Sequence, residues 1–491
     1  MIFGIFTLSI CIVGYLYSWQ QYKRKNYEFA LIIIMLCGLI LRLFVANDFF
    51  LHEWDEQFHA LVAKNLIKHP LIPTLYDNPI LPYDFKAWNM NHIWVHKQPI
   101  PLWTMAASMC LFGVNEIALR LPSILLSTIG IGLIFYIGKY FFSEKTGLLA
   151  AFFFSINGLI IEMAGGRFAT DHIDIFFMFF IELAVFLTIC FVKHKKPAYN
   201  VLIGVAIGFA ILTKWLTALI VLPIWVLIIW QSGQFKFLEA VKYFAIMVLV
   251  CISVFLPWQI YIFKVFPIEA SWESHYNMKH ITEYLDDHKK PLYYFFNQIR
   301  INYGELIYLP LAWFTWEIFK NKRKNWWAIG IWIFIPLIFF TIVKTKMQAY
   351  ILFIAPALFL ITAEFWNVLS SAEKNGYKKW FYNFILFLLI ALPIRYSIER
   401  IKPFDNSERK PKYVDNLKKL NERNISRGVL FNYPKPIEAM FYTDLTVYPN
   451  LPETKIILEL QKKGYRILMK DDDNISQDIR STKGIEYVNL N

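Results

Sequence analysis

Apolar runs long enough to cross a membrane dominate this sequence. A spanning helix needs about 17–25 mostly apolar residues. Runs that fit lie at 2–19, 28–46, 118–141, 146–163, 173–192, 240–263, 293–316, 326–343, 348–369 and 378–396, and a further pair, 200–213 and 215–231, is interrupted at Lys214. The pattern predicts a polytopic α-helical membrane protein of about twelve membrane helices. Composition agrees. Of 491 residues, 57% are hydrophobic and only 18% charged, with a mean hydropathy of +0.41, whereas a soluble domain carries about 25% charged residues. Residues 2–19 lack a basic leader and a small-residue cleavage site, so they read as a first membrane helix rather than a cleaved signal.

The charged residues give the orientation. Lys23-Arg24-Lys25, Lys139 with Lys145, Lys193 to Lys196, Lys236 with Lys242, Lys320 to Lys324 and Lys374 to Lys379 all fall on one side of this pattern. That side is cytoplasmic by the positive-inside rule. The outer face of the cytoplasmic membrane then receives loops 47–117 and 264–292, the turns 164–172 and 344–347, and the tail from 397. The net charge of +13 is thus spent in short connections. No aromatic-interleaved basic patch is left to bind nucleic acid. Segment 99–113 is too short to span comfortably and reads as an interfacial helix with Trp103 at the headgroups. The tail is polar, with GVLFNY and YRILM as strands flanking the helix-like ETKIILELQKKG, which predicts a small α/β domain. Two domains follow: a transmembrane domain, 1–396, and an extracytoplasmic domain, 397–491. All five cysteines lie in hydrophobic segments, where buried thiols are expected rather than disulfides.

Ionisable groups at membrane depth are costly and usually mark a site, and here they gather at the outer ends of the runs. Asp55 and Glu56 open the first outer loop. A carboxylate there can act as general base or ligate a divalent cation, or can be a solvated loop acid. In His96-Lys97-Gln98-Pro99-Ile100-Pro101 a rigid Pro-x-Pro segment presents an imidazole and an ammonium suited to phosphate; Lys97 could equally snorkel to lipid headgroups. Asp171 stands where an acid can cap the following helix, which does not account for Asp174 one turn further in. Lys214 breaks its apolar run and needs an anion, either a carboxylate partner or a bound phosphate. Lys346 and Tyr350 stand four residues apart in the last outer turn and would share one face if helical. Loop 264–292 holds His275, His280 and His288 with several acids. Imidazole and carboxylate can bind zinc or another divalent ion, although these spacings match no helical metal motif.

Taken together, these segments resemble the polyprenyl-phosphate-dependent membrane glycosyltransferases of the GT-C fold, above all the lipid A aminoarabinose transferases and protein mannosyltransferase-like enzymes. The resemblance is carried, in order over most of residues 40–370, by Asp55-Glu56, His96-Lys97-Gln98-Pro99 and Asn115 to Ser123. It continues through Arg167 to Asp171, Gly208 to Lys214, His288 to Tyr294 and Lys346 to Tyr350. It implies a polyprenyl-phosphate sugar donor, an acceptor that is a lipid, glycan or protein, and inversion at the transferred sugar. It implies Asp55, with Glu56 and Asp171, as catalytic or acceptor-orienting acids. Lys97, Lys214, Lys346 and Tyr350 would hold the donor phosphate. A divalent ion (Zn, Mg or Mn) would be held by His96, His280 and His288. Two departures stand out: His96 replaces a family glutamate, and Phe58 stands where many relatives have arginine. A lipid-linked sugar transporter or flippase is the rival reading, but no internal repeat is evident and the charges sit in outer loops. An inactive scaffold is the third. The sequence leaves the sugar, the acceptor and the oligomeric state open.

Overall fold

A computed structural model of the chain describes residues 1–169, 172–285, 288–320, 324–372 and 377–490. Thr170 and Asp171 lie outside the described residues, so the expectation for Asp171 is not addressed by them. The chain divides into two compact units. The first comprises Met1–Ala46, Lys97–Pro101 and Arg120–Asn406, the second Asn47–His96, Leu102–Leu119 and Ser407–Asn491.

The first unit is the membrane bundle. Among the described residues, eight helices are long and apolar enough to cross a membrane, or nine if the bent pair Glu144–Ile156 and Gly158–Ala164 is one span. The expected runs 293–316 and 326–343 fold as shorter helices instead: Tyr294–Tyr303 and Tyr308–Phe319 on either side of Gly304, and Trp327–Ile342. Gly304 has a φ of +99°, a backbone state that costs glycine little. The 55° bend at Asn157 is built by its side chain, which accepts from the Ile160 amide at 3.1 Å and donates to the Asn302 carbonyl at 2.9 Å.

The long segment Pro197–Ser232 breaks where the sequence breaks. Helix Pro197–Lys214 ends at Lys214, a 3-10 turn covers Trp215–Ile220, and a second helix runs Val221–Ser232. Both halves run the length of the Ile173–His194 helix. Lys214 meets Asp174 at its start, whereas Phe235, just past the second half, lies 5.1 Å from the Phe191 ring near its end. The chain therefore folds back at Lys214. Glycines allow the close packing behind it. A Cβ at Gly204 would come within 2.6 Å of the Met247 carbonyl, and one at Gly208 within 2.7 Å of the Val254 side chain.

The second unit holds a four-stranded, all-parallel sheet in the order β2-β1-β3-β4, with β1 Gly428–Phe431, β2 Thr446–Val447, β3 Arg466–Lys470 and β4 Ile485–Val488. The two expected strands are β1 and β3, paired as Gly428↔Arg466 through Phe431↔Met469, and helix Thr454–Lys462 lies between them in sequence. The unit is larger than the tail alone, because loop 47–96 folds with it. Tyr448 stacks on Tyr76 at 5.4 Å, and its hydroxyl accepts from the amides of Ile80 and Leu81 at 2.9 and 3.0 Å. Lys64, on helix Asp55–Lys68, donates to the carbonyls of Met440, Phe441 and Thr443 at 2.8–3.0 Å. Those carbonyls end helix Pro436–Tyr442, where a cation is favoured. Segment Pro99–Phe112 is a short apolar helix, and Trp103 donates to the Pro70 carbonyl at 2.7 Å.

Candidate active site

Lys214 supplies the clearest site chemistry in the bundle. Its ammonium forms a close ion pair with Asp174, whose side chain is 9% exposed, and lies 4.9 Å from the centroid of the Tyr350 ring. Tyr350 is in turn 5.4 Å from Phe340. The anion that the sequence demanded for Lys214 is thus a carboxylate forty residues away in the chain. Asp174, which capping could not account for, has its reason here. The residue after Lys214, Trp215, adopts φ 56° and ψ −154°, a region almost restricted to glycine that costs of order 1–3 kcal/mol and clusters at functional sites.

The segments around this pair are tied down by buried polar contacts. Ser123 bonds His172 at 2.7 Å and donates to the Ala164 carbonyl at 3.0 Å, fixing the start of the Ile173–His194 helix. Arg120 donates to the Ala46 carbonyl at 2.8 Å. Arg167 donates to the Ile401 carbonyl at 3.0 Å, and Arg400 pairs with Glu162. Gln348, at the start of the Tyr350 turn, donates to Asn302 at 2.8 Å. Lys97 is half-buried, and its neighbour Gln98 accepts from Gln259 at 2.8 Å. Lys346 and Tyr350 do not share a helical face: the helical turn begins only at Gln348. Lys346 instead donates to the Val343 carbonyl at 2.5 Å and lines a cavity with Lys289, Lys290 and Lys344.

The acidic pair lies in the second unit and divides in role. Glu56 is fully buried and accepts from the His52 amide at 2.6 Å; its oxygen is 2.8 Å from His52 Nδ1. The other ring nitrogen lies 3.2 Å from Asp48, which also pairs with Arg409 at 3.4 Å. Asp48 and His52 lie ahead of the helix, which starts only at Asp55. Asp55 is half-buried at that helix start, preceded by Trp54 at φ 71° and ψ −131°, a second strained tryptophan beside a candidate residue. The two departures from the family pattern meet on one ring. Trp88 is 4.7 Å from Phe58 and stacks on His96 at 5.3 Å.

The histidines do not fit the expected metal. His96 packs against Trp88 and Trp94 in the second unit, while His280 lies in the first with its ring 3.2 Å from the Tyr276 carbonyl. His288 uses its backbone carbonyl to accept from Lys346. No group of three or more His, Cys, Asp or Glu among the described residues is placed to hold an ion.

A titrating group does emerge in the second unit. Burial raises the Glu438 carboxyl from its ordinary 4.5 to about 7, with Glu56 and Glu53 adding to the rise and the Tyr413 hydroxyl and Lys435 opposing it. The folded state then holds its proton where the unfolded chain has lost it. Stability is full below the ordinary value and falls as pH rises towards 7. The expected result is a lower unfolding temperature for the purified protein at about pH 8 than at about pH 5. Glu438→Gln should flatten that slope, and an unchanged slope would remove Glu438 as its source.

A family model described as dolichyl-phosphate-mannose-protein mannosyltransferase matches residues 96–261. An uncharacterised protein of Aquifex aeolicus is 27% identical over 70% of this chain and 65% of its own length. The undecaprenyl phosphate-alpha-4-amino-4-deoxy-L-arabinose arabinosyl transferase 1 of Pseudomonas fluorescens is 25% identical over 51% of this chain and 44% of its own. The chain thus spans less than two thirds of these relatives. Among solved structures, ArnT from Cupriavidus metallidurans bound to undecaprenyl phosphate superposes with a TM-score of 0.56 at 15% identity, covering 90% of this chain and 88% of that one. The oligosaccharyltransferase AglB of Archaeoglobus fulgidus, in complex with an inhibitory peptide and a dolichol-phosphate, gives 0.61 at 13% identity, covering 87% and 65%. The chain is a multi-pass membrane protein with the GT-C fold, and in sequence it resembles the polyprenyl-phosphate-dependent glycosyltransferases.

Proposed function

We propose that this protein transfers a sugar from a polyprenyl-phosphate donor to a hydroxyl-type acceptor on a lipid, glycan or protein, at the outer face of the cytoplasmic membrane. The acceptor oxygen attacks the anomeric carbon, the sugar–phosphate bond breaks, and its electron pair leaves with the lipid phosphate. A single displacement inverts the anomeric centre. Asp55 accepts the acceptor proton as general base, and Glu56, buried on His52, positions the segment that carries it. Lys97, Lys214, Lys346 and Tyr350 hold the phosphate, whose charge grows as the bond breaks, so fixed cations there favour the transition state. Asp171 orients the acceptor or the lysines. The observation that carries this reading is Lys214, set on Tyr350 at a strained helix break, in a fold shared with a transferase that binds undecaprenyl phosphate.

Lipid analysis of a deletion strain tests the reaction. The expected result is an accumulated polyprenyl-phosphate sugar together with an envelope component that lacks that sugar. Unchanged pools of both would overturn the reading. Orientation is tested by single cysteines at the exposed Lys68 and Asp473. A membrane-impermeant thiol reagent should label both in intact cells; labelling only after lysis would place the proposed site on the wrong face.

A further inference from the structure

Asn302 stands near the end of helix Tyr294–Tyr303 and is 5% exposed. Its polar atoms join segments of the membrane bundle that are distant in sequence. The backbone carbonyl accepts from Asn157, at the bend in the Glu144–Ile156 and Gly158–Ala164 pair, at 2.9 Å. The side-chain oxygen accepts from Gln348 at 2.8 Å and from Arg400 at 3.4 Å. A guanidinium can only donate, so Asn302 must turn its oxygen towards Arg400, and Gln348, facing the same oxygen, must present its amide nitrogen. Arg400 lies in the last turn of helix Tyr377–Ile401. Its charge is met by Glu162, and it stands 5.8 Å from the Phe168 ring. The Asn302 side chain is therefore a neutral anchor between a charge-paired arginine and Gln348.

Gln348 opens the 3-10 turn Gln348–Ile354, two residues ahead of Tyr350. Met347 before it is extended and offers no side-chain cap, so the bond to Asn302 marks where the turn begins. Tyr350 then lies over Lys214 at 4.9 Å. Resting on the transferase reading, we propose that Asn302 is a positioning residue for sugar transfer. Through Gln348 it sets where Tyr350 meets the donor phosphate, and through Arg400 it ties that turn to the last helix of the bundle and to the Phe168 turn. Asn302 itself touches neither donor nor acceptor. Phosphate charge grows as the sugar–phosphate bond breaks, so a displaced Tyr350 is felt in the rate; a shift of about 1 Å can cost about 10²-fold.

Variants of the full-length protein, expressed in a deletion strain, test this by the rate at which the missing sugar returns to the envelope. Gln348→Met removes the donor and leaves Asn302 its bond from Arg400. It should slow transfer by about 10–10²-fold with an unchanged unfolding temperature in the purified protein. Asn302→Leu should slow transfer as much, and the double variant no more than either, because the two act as a unit. Asn302→Asp keeps an oxygen before both donors and should restore most of the rate. In a Tyr350→Phe background Gln348→Met should cost less than about threefold further. Near wild-type rates for Gln348→Met overturn the proposal. A full additional loss in the Tyr350→Phe background also overturns it, since Asn302 would then act elsewhere than through Tyr350. If Asn302→Leu fails to fold, Gln348→Met and Asn302→Asp decide. A wild-type gene that returns no sugar overturns the transferase reading, and the positioning role falls with it; normal wild-type transfer with unaffected variants overturns the positioning alone.

Discussion

Replacing Asp55 by asparagine should lower sugar transfer by about 10²–10⁴-fold, the typical loss when a general base is removed, while the protein still folds and binds donor. Asparagine keeps the volume and removes the charge and the basic lone pair. Asp55 is the first residue of helix Asp55–Lys68, so the change also forfeits a favourable charge at a helix N-terminus, worth roughly 0.3–1 kcal/mol. That is too little to unfold the unit. Glu56→Gln provides the contrast. Its carboxylate receives the His52 amide and sits beside the His52 ring, so its loss should appear first as lower stability. Transfer by purified Asp55→Asn at close to the wild-type rate would take Asp55 out of the chemistry.

How much of this was legible in the sequence depends on the range of the interaction. Hydropathy and charge are local, and they marked the broken helix at Lys214 and the strands at 428 and 466 because each signal lies within its own segment. The number of spans was less secure. Asn157 and Gly304 interrupt apolar runs with side-chain capping and a positive φ, neither of which alters hydropathy. Pairings across distance were not legible. Nothing in the sequence tells Lys214 to choose Asp174 over another acid, since the choice follows from two helices packing side by side. The cavity lined by Lys289, Lys290, Lys344 and Lys346 depends on backbone bonds from residues 344–346 to Ile281, His280 and His288, far away in the chain. Loop 47–96 could not be assigned to the tail's unit, because what binds them is Lys64 on the end of a helix nearly four hundred residues later. Histidine content suggested a ligand set, but the His96 ring packs against tryptophans and the His280 ring lies by a backbone carbonyl.

The Lys214–Asp174 pair allows stability and function to be separated. Lys214→Ala alone strands a carboxylate that is almost fully buried, and breaking a buried pair on one side typically costs about 3–5 kcal/mol. A loss of activity in that variant would therefore say little about phosphate. Replacing both partners by apolar residues of similar volume, Lys214→Met with Asp174→Leu, is often neutral for stability, and the Trp215 break and the Tyr350 ring are left in place. If Lys214 serves only to satisfy Asp174, the double variant should bind donor as wild type does. If its ammonium also reaches the donor phosphate, the double variant should fold normally yet bind polyprenyl-phosphate sugar about tenfold or more weakly, the worth of one hydrogen bond to a charged group. The second outcome is expected, because the pair sits at a helix break that the backbone strains to maintain. A structural ion pair alone would be served as well by a continuous helix with no tryptophan in a glycine conformation. Donor affinity, measured alongside the unfolding temperature, decides between them, and wild-type affinity in a stable double variant would reassign Lys214 to structure.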